Sequence, residues 1–62
     1  MNAKQIIKIL EKNGWQLKRV SGSHYRYVKD GFPPVTIPLH GTKDLKVGTV
    51  KSIERDTGLK LL

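Results

Sequence analysis

The apolar residues of this 62-residue chain change period twice, from helical spacing to alternation and back, and that order restricts the fold more than any other feature. Ala3, Ile6, Ile7 and Leu10 recur on one helical face. Asn2 precedes them as a cap with Gln5 following as its partner, and Asn13-Gly14 supplies a stop, which predicts a helix over about residues 3–12. At roughly 100° per residue, Lys4, Lys8 and Lys12 fall in a stripe away from Ile6, Ile7 and Leu10, the pattern of a solvated face.

From Trp15 the period drops to two, with Trp15, Leu17 and Arg19 on one side and Gln16, Lys18 and Val20 on the other, which reads as a first strand. Ser21-Gly22-Ser23 is a turn cluster, and His24-Tyr25-Arg26-Tyr27-Val28 reads as a second strand antiparallel to the first. Tyr25 and Tyr27 share one face of that strand, where tyrosines either stack on bases or pack under a helix; packing is expected for at least one. His24, Arg26 and Val28 share the other face. Asp30-Gly31 marks another turn, and Val35-Thr36-Ile37 forms a short third strand ended by Pro38 at a sheet edge. After a polar connection from Leu39 to Lys46, Val47, Val50 and Ile53 restore helical spacing as far as Gly58. A second helix is predicted over about 47–57, with Leu59, Leu61 and Leu62 packing back. The reading is α+β: a three-stranded antiparallel sheet with two helices on one face and the other face open, in a single domain over residues 1–62.

A chain of this length buries only about 60% of its unfolded surface, so modest stability is expected and large cofactor folds are excluded. There is no cysteine, hence no disulfide framework and no thiolate metal site, which points to an intracellular, cytoplasmic protein held by packing alone. No stretch resembles a signal peptide or a membrane span. Twelve Lys and Arg against five Asp and Glu give a net charge of +7 and place polyanions, nucleic acid foremost, at the head of the possible partners.

Acid–base chemistry falls to the two histidines, the side chains whose ordinary pKa lies near neutrality. His24 leaves the Gly22-Ser23 turn beside Lys18, Arg19 and Arg26, a setting that suits a phosphodiester, although a histidine among basic residues is also an ordinary phosphate contact. His40 lies beyond the third strand and, unless the loop folds back, is expected toward the opposite end of the ladder from His24, either as a partner acid or base or as a hydrogen-bonded loop residue. Two histidines without cysteine or i,i+4 spacing make a poor zinc site, so no metal is expected. Ser21, Ser23 and Ser52 lack a nucleophile elbow, and the glycines never space as a phosphate-binding loop, so no nucleotide cofactor is expected.

Gly22-Ser23-His24, Tyr27, Asp30-Gly31, Val35-Thr36-Ile37-Pro38 with His40, and Gly48-Thr49-Val50-Lys51-Ser52-Ile53 with Gly58 are weak signals singly but specific as an ordered set. Together with the opening helix and Gly14-Trp15, they make the whole chain similar to HicA-type toxins. The resemblance implies a double-stranded-RNA-binding-like α-β-β-β-α fold and an endoribonuclease that cleaves mRNA, and the reading of the residues fits a metal-independent mechanism for it. It also implies a type II toxin–antitoxin pair in which a HicB-like antitoxin neutralises the toxin. Catalysis in that family centres on the histidine of Gly-Ser-His, here His24; His40 matches a second recurrent position of less settled role. Lys18, Arg19, Ser23 and Arg26 are the candidate RNA-binding residues. Arg26 departs from the family pattern, where an apolar residue is common.

Two other readings fit the composition. A non-catalytic RNA- or DNA-binding module could hold an A-form helix by shape and lysines alone. An interaction protein could offer its basic surface to an acidic partner. Gly22-Ser23-His24 favours the enzyme, because a pure binder gains little from an ionisable imidazole in an accessible turn.

Overall fold

The computed structural model describes residues 1–62. Its elements run α1 (Ala3–Lys12), β1 (Gln16–Ser21), β2 (His24–Val28), β3 (Val35–Pro38) and α2 (Val47–Thr57). Local chemistry sets the helix limits. Asn2 Oδ1 accepts the Gln5 N–H at 3.0 Å while Gln5 Oε1 accepts the Asn2 N–H at 2.9 Å, closing a capping box on α1. Helix α2 ends at Gly58, whose φ of 72° and N–H bond to the Glu54 carbonyl stop it as the glycine predicts.

The three strands form one antiparallel sheet in the order β1-β2-β3. Ser21 pairs with His24 across a two-residue turn whose first residue, Gly22, has φ 59° while Ser23 stays at negative φ. This is the type II′ arrangement, whose twist matches that of the flanking strands and which favours glycine at that position. Pro38 closes β3 on the sheet edge, as its missing N–H requires.

The core is one cluster between the helices and one sheet face. Ala3, Ile6 and Leu10 of α1 and Val50 and Ile53 of α2 meet Tyr27, Val35, Ile37, Trp15 and Leu61. Tyr27 is packed there, with its hydroxyl donating to Glu11 Oε2 at 3.3 Å. Burial, followed by the Glu11 charge, raises the Tyr27 pKa. Of the closing leucines, Leu61 is buried and Leu59 partly so, but Leu62 stays exposed because the chain has passed the core. The tail is held by Glu54, whose Oε2 accepts the N–H groups of Leu61 and Leu62. The α-β-β-β-α order with its open sheet is the double-stranded-RNA-binding-like α+β architecture.

Two details differ from the alternation read in the sequence. Leu17 pairs with Tyr27 but Arg19 with Arg26, so β1 carries a bulge at Lys18. Leu17 and Arg19 therefore lie on opposite faces, Leu17 joining Val20 on the helix side and Arg19 joining Ser21 on the open side. The second correction concerns His40. Antiparallel pairing returns the end of β3 to the start of β2, and His24 pairs with Pro38. The Leu39 N–H bonds to the Ser23 carbonyl at 2.7 Å, so His40 follows at the same end of the sheet as His24 rather than the opposite end.

Candidate active site

The open face of the sheet holds a shallow cavity of about 210 Å³ lined by Arg19, Ser21, His24, Arg26 and Thr36. Strand register brings them together. Directly paired residues share a face, so Ser21 stands beside His24, and Arg26 stands between Arg19 on β1 and Thr36 on β3. Residues two apart on one strand are about 7 Å apart, so His24 and Arg26 flank a space the size of one phosphodiester. The lysine bulge is what turns Arg19 into this cavity; unbroken alternation from Leu17 would have sent it to the other side.

The electrostatics favour an anion. Arg19 and Arg26 form no ion pair within the chain, and no carboxylate lines the cavity. All five lining residues are solvent-exposed, which leaves the guanidinium forks and the imidazole open to a large substrate. No three His, Asp or Glu side chains converge as a metal-ligand set.

Of the residues singled out in the sequence, His24, Arg19 and Arg26 meet in the cavity. Lys18 sits on the bulge beside it and does not line it. Ser23 occupies the second turn position and contributes its carbonyl to Leu39 rather than its side chain to the cavity. His40 is exposed at the same end of the sheet, where its carbonyl accepts the Lys43 N–H at 3.2 Å and its side chain makes no hydrogen bond within the chain. Ser21 and Thr36 were not read as site residues. Their signal was the two-residue turn, which fixes register and therefore face, but small polar residues carry no compositional mark of a site.

No helix of the chain is long and apolar enough to cross a membrane. The sequence model of a protein family described as the HicA toxin of bacterial toxin-antitoxin matches residues 3–59. No curated protein matches the chain in sequence.

Proposed function

This chain belongs to the HicA toxin family of bacterial toxin–antitoxin systems, and from that premise we propose that it is a metal-independent endoribonuclease that cleaves mRNA with His24 as its acid–base group. The observation that supports this most is the meeting of His24 with Arg19 and Arg26 in one exposed cavity free of carboxylates.

In this reading a phosphodiester seats against the two guanidinium groups. Neutral His24 takes the proton from the ribose 2′-hydroxyl, the 2′-oxygen bonds to phosphorus, and the 5′-oxygen leaves with a proton. The products are a 2′,3′-cyclic phosphate and a 5′-hydroxyl. Arg19 and Arg26 stabilise the charge that builds on the non-bridging oxygens, which is the task a metal ion would otherwise perform. The Ser21 and Thr36 hydroxyls orient the phosphate, and Lys18 extends the positive surface along the RNA. His40, at the same end of the sheet, is the second imidazole available to protonate the leaving oxygen. A HicB-type antitoxin neutralises the toxin by covering the His24 face.

The test is the chemistry of the product ends. Labelled RNA incubated with the protein in EDTA should yield cyclic-phosphate and 5′-hydroxyl termini, and one 2′-deoxy residue at the cut site should block the cut. Ends bearing 5′-phosphate would reject the 2′-hydroxyl route. RNA that is retarded on a gel but stays intact would favour the non-catalytic binding module.

A further inference from the structure

The helices cover the sheet unevenly. Both make their closest approach to the sheet at β3 and neither packs closely on β1, so on the same sheet face β1 is left with apolar side chains in water. Leu17 and Val20 are each 47% exposed although they stand opposite Tyr27 and Tyr25 on the helix side. Between α1 and β2 this surface dips into a groove of about 490 Å³. Ile7, Tyr25, Tyr27 and Leu39 form its apolar part, and Lys4 and Lys8 line it from α1. Neither lysine has an ion-pair partner in the chain.

We propose that this groove is the docking site of an acidic amphipathic helix supplied by the antitoxin, lying beside α1 and completing the helical layer over β1. Helices pack about 10 Å apart, and three strands span about the same distance between the outer two. With neither α1 nor α2 packed closely on β1, the unfilled helical position lies over Leu17 and Val20. An occupant must bring apolar residues at helical spacing for Ile7, Val20, Tyr25 and Leu39, and carboxylates for Lys4 and Lys8. Charge complementarity to a chain of net charge +7 points the same way. RNA suits this surface less well, because of its two rings Tyr27 is buried and Tyr25 half-buried, whereas base stacking needs open aromatic faces. The groove and the His24 cavity lie on opposite faces of the sheet. An antitoxin anchored here reaches the catalytic face around the free edge of β1, an edge that no other strand occupies. The proposal rests on the toxin–antitoxin pairing and not on the cleavage chemistry.

The test uses the full chain with two substitutions at exposed positions, Val20→Ser and Lys8→Glu, each checked for folding by circular dichroism and titrated with purified antitoxin by calorimetry. Val20→Ser should weaken antitoxin binding roughly tenfold while RNA affinity stays within about twofold. Lys8→Glu should weaken antitoxin binding and flatten its salt dependence. Unchanged antitoxin affinity in both folded variants overturns the proposal. Loss of RNA affinity in Val20→Ser at constant antitoxin affinity also overturns it and assigns the groove to RNA. If Val20→Ser does not fold, Lys8→Glu and Lys4→Glu on the exposed side of α1 decide the matter. Because the readout is antitoxin affinity, an absence of RNA cleavage would leave this result intact.

Discussion

Arg19 stands directly opposite Arg26 across β1 and β2, with neither guanidinium neutralised by a carboxylate. Like charges in such a pair repel and cost a few tenths of a kcal/mol to about 1 kcal/mol, so the arrangement is a poor choice for stability alone. It becomes favourable when an anion bridges the two forks, which is the role proposed for the RNA phosphate.

Replacing either arginine by glutamine should therefore weaken RNA binding and reduce its salt dependence. For single-stranded RNA each lost phosphate contact lowers the slope of log affinity against log salt by about 0.7. Titrations of Arg19→Gln and Arg26→Gln at several salt concentrations measure this directly, and an unchanged slope would remove that residue from the interface.

Gly22→Ala tests the turn that sets the register of His24. A Cβ there meets no atom within 4 Å, so the cost comes from the backbone at φ 59° alone. An L-residue in that region loses about 1–2 kcal/mol, which in a domain of this size lowers the melting temperature by roughly 4–8 °C per kcal/mol. Thermal denaturation should show this drop, accompanied by slower cleavage as the Ser21–His24 end of the hairpin loosens.

Ile37 is fully buried at the centre of the core. Ile37→Ala should cost about 2–5 kcal/mol, comparable with the 3–5 kcal/mol that a core in so short a chain supplies. The variant should be largely unfolded by circular dichroism at room temperature, whereas Leu62→Ala, at an exposed position, should melt like the parent.

Glu54 gives the fold a defined acid response. Its carboxylate accepts the N–H groups of Leu62 and Leu61, which hold its pKa below the usual value of 4.5. Near that pH the unfolded chain binds the proton more readily than the folded one, so stability rises with pH through this window. The contribution is complete above about pH 4.5 and is lost as pH falls through the lowered folded value. Glu54→Gln should lower stability at neutral pH and flatten this part of the acid melting profile, as read by melting temperatures across the acid range.

Both helices were legible in the sequence because their ends are local chemistry: the Asn2–Gln5 capping box, the stop after Asn13, and Gly58 each act within one turn. The hairpin was legible for the same reason, through Gly22. The face of Arg19 was not, since a bulge inserts one residue without changing the composition of β1, and alternation read through Lys18 carries every later residue to the wrong side. The position of His40 was misread because it depends on the direction in which β3 returns along β2, a relation between strands rather than within one. Ser21 and Thr36 joined the cavity by register alone, and the incomplete cover over Leu17 and Val20 depends on where the helices settle, which apolar spacing does not specify.

The most direct measurement is the cleavage rate of one labelled RNA by the protein and by His24→Gln, in EDTA, with RNA affinity and folding determined for both. A positioned acid–base group contributes about 10²–10⁴-fold, and His24 is exposed outside the core. The account predicts a loss of that size, with the fold intact and RNA affinity nearly unchanged. Undiminished cleavage by a folded His24→Gln would contradict it.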